Sequence, residues 1–183
     1  MSKTAMTVAD LDLMPDDGNR YELIEGELYV SRSPGLAHQR SSWKLSGTLF
    51  VYLEANPIGE ALATPGVIFD DINGVIPDLV YFSNERRDEI AAGTRISGAP
   101  DLVVEIVSPG SENERRDRVV KRDLYAKFGV REYWLLDPVL RCVEVHRHDG
   151  RTLRTVGVLG PEDVLTSPLL PGYSVKVGEL FPQ

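Results

Sequence analysis

A single cysteine, Cys142, stands among 183 residues, so no disulfide can close within the chain, and no Cys/His cluster of zinc spacing accompanies it. The expectation is a reduced interior with Cys142 in the core. Long apolar runs are also missing. Nothing approaches the roughly 18 consecutive apolar residues of a membrane-crossing helix. Met1 to Leu13 mix Lys3, Asp10 and Asp12 with isolated apolar positions, unlike the apolar stretch of a signal peptide. The default expectation is a cytoplasmic chain with no membrane partner. Positive charge is scarce as well: 20 Lys and Arg against 28 Asp and Glu give a net charge of −8. That excludes a surface that coats nucleic acid by general phosphate neutralisation. It leaves room for a local basic face, or for an acidic site whose sign a bound divalent cation reverses.

What remains is an ordinary globular composition, 42% hydrophobic and 26% charged, at a length that fits one domain spanning 1–183. Tyr21–Ile24 and Glu27–Val30 read as strands about a Glu25-Gly26 turn. His38, Ser42, Leu45, Leu49 and Leu53 recur at helical spacing until Asn56-Pro57. Three β-rich runs follow, Ala61–Phe69, Val75–Phe82 and Asp101–Val107, with Ser83–Pro100 as a polar loop before the third. A second helix is expected over Glu112–Phe128, stopped by Gly129, and then strands Glu132–Asp137 and Cys142–His146 with a hairpin turn at Asp149-Gly150. The proline-rich tail reads as an extended wrap ending in a strand near Tyr173–Val177. The order helix, three strands, helix, strand, with an N-terminal hairpin and a C-terminal β extension, is an α/β fold with a mixed sheet.

Two acids interrupt apolar faces. Counting alternate residues along Val75–Phe82 places Asp78 with Ile76, Val80 and Phe82, and in the third run Glu105 falls between Val103 and Val107. Ionised carboxylates out of water cost several kcal/mol unless a cation, a proton or a set of donors compensates them. Mg²⁺ or Mn²⁺ meets that need with hard-oxygen chemistry. Each acid taken alone also fits a structural role, Asp78 as a strand-entry residue after Pro77 and Glu105 as half of an ion pair.

The second helix supplies a cation. At about 100° per residue, Lys121 lies in one stripe with Asp117, Val120, Leu124 and Phe128. Lysine is seldom buried without a partner, so it either reaches toward Glu105 to orient a water and meet a phosphate, or pairs with Asp117 at the stripe's edge. Arg115, Arg118 and Arg122 form a flanking strip that either tracks a phosphate backbone or is a solvated face. His38 points inward from the first helix, as a core histidine or a water contact. Glu22 and Glu27 flank the hairpin turn, and either is a candidate further carboxylate. The Ser108-Pro109-Gly110-Ser111 turn lacks phosphate-loop spacing.

Tyr21-Glu-Leu-Ile-Glu-Gly-Glu-Leu28, Pro77-Asp78, Pro100-Asp101-Leu-Val-Val-Glu105-Ile-Val-Ser-Pro109, the Asp117–Lys121–Tyr125 spacing and Glu132-Tyr-Trp-Leu-Leu-Asp-Pro138 resemble the Uma-two family of restriction-endonuclease-like proteins, within the PD-(D/E)XK nuclease superfamily. The resemblance spans nearly the whole chain. It implies a restriction-endonuclease-like core over about 36–147 and Mg²⁺-dependent (or Mn²⁺-dependent) hydrolysis of phosphodiester bonds in DNA. Asp78 and Glu105 match the metal ligands, and Lys121 on the next helix resembles a relocated catalytic lysine; from the pattern of the residues themselves, Glu27, His38 and Asp117 are auxiliary candidates. The superfamily places its lysine two residues after the second acid, where this chain has Val107. A catalytically inactive nucleic-acid-binding or assembly module on the same fold, and a hydrolase of small phosphoesters, are the competing functions. A homodimer is the default assembly, closed two-fold symmetry being the commonest.

Overall fold

The structure, a computed structural model, describes residues 5–108, 110 and 115–182. A one-turn helix α1 (Val8–Leu11) leads into a hairpin of β1 (Arg20–Ile24) and β2 (Glu27–Ser31). The turn residues Glu25 and Gly26 both have positive φ, 52° and 74°, the backbone twist that a two-residue hairpin loop requires. Helix α2 (Leu36–Ala55) buries His38, Ser41, Leu45 and Leu49 along one face.

The β-rich runs divide more finely than their composition suggests. Ala61–Phe69 is two strands, β3 (Gly59–Ala63) and β4 (Val67–Asp70), in different sheets. Thr64 at φ 51° followed by Pro65-Gly66 turns the chain between them. Val75–Phe82 also splits, into β5 (Asn73–Val75) and β6 (Leu79–Ser83), because Pro77 has no amide for a ladder. Ser83–Pro100 is not a loop throughout: α3 (Asn84–Ile90) and β7 (Ile96–Ser97) lie within it. Ile90 is the one buried residue of α3, too little apolar periodicity for sequence reading to detect.

Beyond β8 (Leu102–Ile106), the expected start of the second helix at Glu112 lies outside the described residues. From Arg116 to Lys121 the helix is a π-helix, and α4 (Arg122–Lys127) continues it to Gly129, whose φ of 82° ends it. β9 (Glu132–Asp137), β10 (Cys142–His148) and β11 (Leu153–Leu159) follow as expected. The tail is more ordered than a wrap: β12 (Val164–Ser167) and β13 (Leu170–Lys176) pair, and a 3₁₀ turn closes at Val177–Leu180.

The central sheet has the order β11-β10-β9-β8-β6-β3, and the second sheet β2-β1-β5-β4-β7. β6 runs antiparallel to both of its neighbours, β3 and β8, while β8 and β9, joined through the π-helix and α4, run parallel. The mixed α/β architecture with helix, three strands, helix and strand is therefore observed, the second sheet being built from the hairpin and from segments inserted between core strands. Two cores lie on the two faces of the central sheet. One gathers Leu45 and Leu49 of α2 with Leu79, Val104, Trp134 and the tail residues Leu170 and Phe181. The other gathers Val80, Val103 and Tyr133 with Ile24 and Val67 of the second sheet and with Leu124 and Tyr125. Cys142 is buried and free. Among the described residues no helix is long and apolar enough to cross a membrane.

Candidate active site

The acids gather because of strand register. β6 and β8 pair Leu79 with Val104 and Val80 with Val103, and one step further along that register sets Asp78 across from Glu105. Asp78 therefore lies just before β6 and not within a strand, yet it keeps the inward face of Val80 and Phe82 that alternation assigns to it. Glu105 occupies the same face of β8, between Val103 and Val107, and both acids are buried.

Each acid meets its own donors. Asp78 Oδ1 accepts from Arg20 Nη1 at 3.1 Å. Its Oδ2 accepts from His38 Nε2 at 3.0 Å and from the Ile106 amide at 2.8 Å. Burial works to raise the Asp78 carboxyl, but the His38 hydrogen bond and charge, with the Ile106 amide and Lys121, hold it below the usual carboxylate range. Glu105 Oε1 accepts from Lys121 Nζ at 2.9 Å and from the Tyr125 hydroxyl at 2.5 Å. Here burial prevails: it pushes Glu105 up to about 8 against the pull of Lys121, with Asp78, Asp117 and Glu22 adding to the rise.

Lys121 lies 2.8 Å from Glu22 Oε1 as well, and Glu22 Oε1 also accepts the Ile76 amide. Burial would lower the lysine, but Glu105, Glu22 and Asp117 together raise it, so the ammonium stays charged. Asp117, also buried, is raised by desolvation although Lys121 and Arg116 oppose this, and Arg116 Nε donates to its Oδ1 at 3.0 Å. Lys121 thus reaches Glu105 and Glu22 from a buried position, and the ion pair with Asp117 at the stripe's edge does not form: Asp117 acts on it through charge alone.

These groups line one cleft of about 340 Å³, into which Arg20, His38, Asp78, Glu105, Asp117 and Lys121 all open. Glu27 stays outside, exposed on the hairpin with the Tyr29 hydroxyl donating to it at 3.3 Å. Two of the three arginines of the strip are engaged within the chain: Arg118 binds Asp137 and Glu144 on the neighbouring strands, and Arg122 lies against Asp123. Of the Ser108–Ser111 turn, Pro109 and Ser111 lie outside the described residues, while Ser108 lines the cleft. Sequence reasoning missed Arg20 and Arg116 and held Glu22 only loosely. The signal for the first and last was present, since Arg20, Glu22 and Ile24 alternate along β1 and so share its inward face.

A hard divalent cation suits this donor set in type and in charge: two facing carboxylates, and a Glu105 that burial raises first and the neighbouring Asp78, Asp117 and Glu22 raise further. The protein's own cations meanwhile occupy the acids, and among the described residues no three His, Cys, Asp or Glu side chains stand ready around one point.

A structure described as a putative nuclease belonging to DUF820 from Anabaena variabilis ATCC 29413 superposes with a TM-score of 0.76 at 23% identity, covering 96% of this chain and 97% of that one. The type IIG restriction endonuclease BpuSI is similar over 78% of this chain and 14% of its own, at 15% identity and a TM-score of 0.41. No curated protein matches. The first of these shows the fold, a restriction-endonuclease-like nuclease fold. Residues 8–178 match the family Uma2, described as "Putative restriction endonuclease", and the chain, which carries the site just described along that span, belongs to this family.

Proposed function

We propose that this chain is a single-domain, metal-dependent endonuclease of the cytoplasm that hydrolyses phosphodiester bonds in DNA. Family membership supports a nuclease function. The observation that carries the reading further is the convergence of Asp78, Glu105 and Lys121, from three different elements, in one cleft. Asp78 and Glu105 would hold Mg²⁺ or Mn²⁺, and that ion would supply Lewis-acid activation of water and charge for the phosphate.

The chain's own residues do the rest. His38 and the Ile106 amide fix the Asp78 carboxylate and keep it ionised. Glu22 and Asp117 keep Lys121 charged and aimed at Glu105, so its ammonium is placed to orient the attacking water and to stabilise negative charge gathering on the phosphate. Arg20 and Arg116, at the cleft wall, add cations where a phosphate would enter. The Val107 departure does not remove a lysine from the site, because the π-helix delivers Lys121 to Glu105 from the neighbouring element.

One observation favours a second reading, an inactive nucleic-acid-binding or assembly module. Both Asp78 oxygens are already bonded to protein donors, a state that is complete without an ion. The two readings part in a plasmid-nicking assay with Mg²⁺ or Mn²⁺, run beside bis(p-nitrophenyl) phosphate as a small phosphoester. Metal-dependent cleavage of the plasmid that disappears in Asp78→Asn and Glu105→Gln supports the endonuclease. Turnover of the small ester alone moves the substrate class, and no turnover of either by the folded wild type favours the inactive module.

A further inference from the structure

Helix α2 carries large apolar side chains on its outer face as well as on its buried one. Its buried face carries the polar His38 and Ser41 beside Leu45 and Leu49, while its outer face carries Trp43, 81% exposed, and Phe50, 65% exposed, with Leu36 and Val51 exposed beside them. A helix whose outer side meets only water carries polar residues there. At about 100° per residue, Leu36, Arg40, Trp43, Gly47, Phe50, Val51 and Glu54 form one continuous stripe. Four large apolar side chains in a row are a surface that a second surface covers.

We infer that this stripe is the seat of a second copy of the chain, docked antiparallel across Gly47 about a two-fold axis. The stripe is complementary to itself. In such a pair, positions equally far from Gly47 lie level, so Arg40, seven residues before it, meets Glu54, seven after it, in the partner. Among the described residues neither Arg40 nor Glu54 enters an ion pair within its own chain, and both are exposed. Trp43 and Val51, four residues to either side, lie level as well, so the Trp43 of one copy packs between Val51 and Phe50 of the other.

Gly47 makes the crossing close. A Cβ at this position would meet nothing within 4 Å of its own chain, so the missing side chain answers no internal need. It allows two helix backbones to approach at the short end of the usual spacing of about 8–10 Å. The seat for the tryptophan is present: a cleft of about 700 Å³ opens beside the stripe, walled by Ser46, Phe50, Leu53 and Glu54 of α2 and by Ala61 of the edge strand β3. At 20 residues α2 is about 30 Å long, enough for both ends to engage. His38 and Leu45 lie on the opposite side of α2, so pairing leaves each acidic cleft open.

The contact needs neither metal nor turnover, so it stands or falls apart from the nuclease proposal. Sedimentation velocity of the full chain over a concentration series tests it. The wild type is expected at twice the chain mass, and Trp43→Asp at the chain mass with an unchanged melting curve. Arg40→Glu should raise the dimer Kd about tenfold, as a like-charge contact at an interface does, and Arg40→Glu with Glu54→Arg in the same chain should restore it. A wild type that stays monomeric overturns the inference, as does a dimer indifferent to Trp43→Asp. A monomer whose oligonucleotide affinity falls in Trp43→Asp would give the face to nucleic acid and overturn it equally.

Discussion

The Lys121 ammonium lies 2.9 Å from Oε1 of Glu105, both side chains buried, and it is the cation around which Glu22 and Asp117 also gather. Removing it strands several acids in a low-dielectric site. Lys121→Met is therefore expected to cost about 3–5 kcal/mol at neutral pH, as breaking a buried ion pair from one side does. Urea unfolding measures this. The loss should shrink as the pH is lowered, because protonation relieves the stranded carboxyls.

Glu105 carries its own pH signature. Its carboxyl is raised to about 8 in the folded protein from an ordinary 4.5. Between those values the folded state holds a proton that the unfolded chain has released, so this group makes stability fall as pH rises from about 4.5 to about 8, and level off above. Glu105→Gln cannot ionise and should flatten that part of the profile. Urea midpoints of the two proteins across this range check it, and parallel profiles would contradict the assignment.

Much of this was legible in the chain because hydrophobic alternation has a strict period. Glu105 was placed by it correctly. Asp78 was placed on its true face although Pro77 ends the strand reading before it, since the pleat continues one residue past the ladder. Lys121 was found because a charge in an apolar stripe is a local contradiction. What stayed hidden depends on distant segments. Arg20 comes to Asp78 from 58 positions away: alternation along β1 marks its face but cannot name its partner. The division of Ala61–Phe69 into two sheets also escaped, because Thr64 adopts a positive φ that its residue type does not advertise. The arginine strip failed for a third reason: helical geometry gave its angle correctly but could not show Asp137 and Glu144 waiting on β9 and β10.

Arg118 is accordingly expected to behave as a structural residue. Arg118→Ala should cost about 1–3 kcal/mol by leaving the buried Asp137 short of its charged partner. It should not change the salt dependence of any DNA affinity. A slope of log affinity against log salt that drops by about one unit would instead make Arg118 a phosphate contact.

At the hairpin turn, Gly26→Ala should destabilise by more than the ~1 kcal/mol of a left-handed alanine alone. A Cβ there would come to 2.6 Å from Ala5 Cβ, pushing the N-terminal segment off the turn. Thermal melts of this variant, with Gly150→Ala as the comparison in open space, separate the steric part from the backbone part.

The central claim is that Asp78 and Glu105 form one metal site, and calorimetric titration of Mn²⁺ into the wild type, Asp78→Asn and Glu105→Gln tests it most directly. The expected result is binding by the wild type that tightens as pH rises through about 8, where Glu105 releases its proton, and that either substitution abolishes in a protein that still folds. No binding by the folded wild type, or binding indifferent to both acids, would contradict the account.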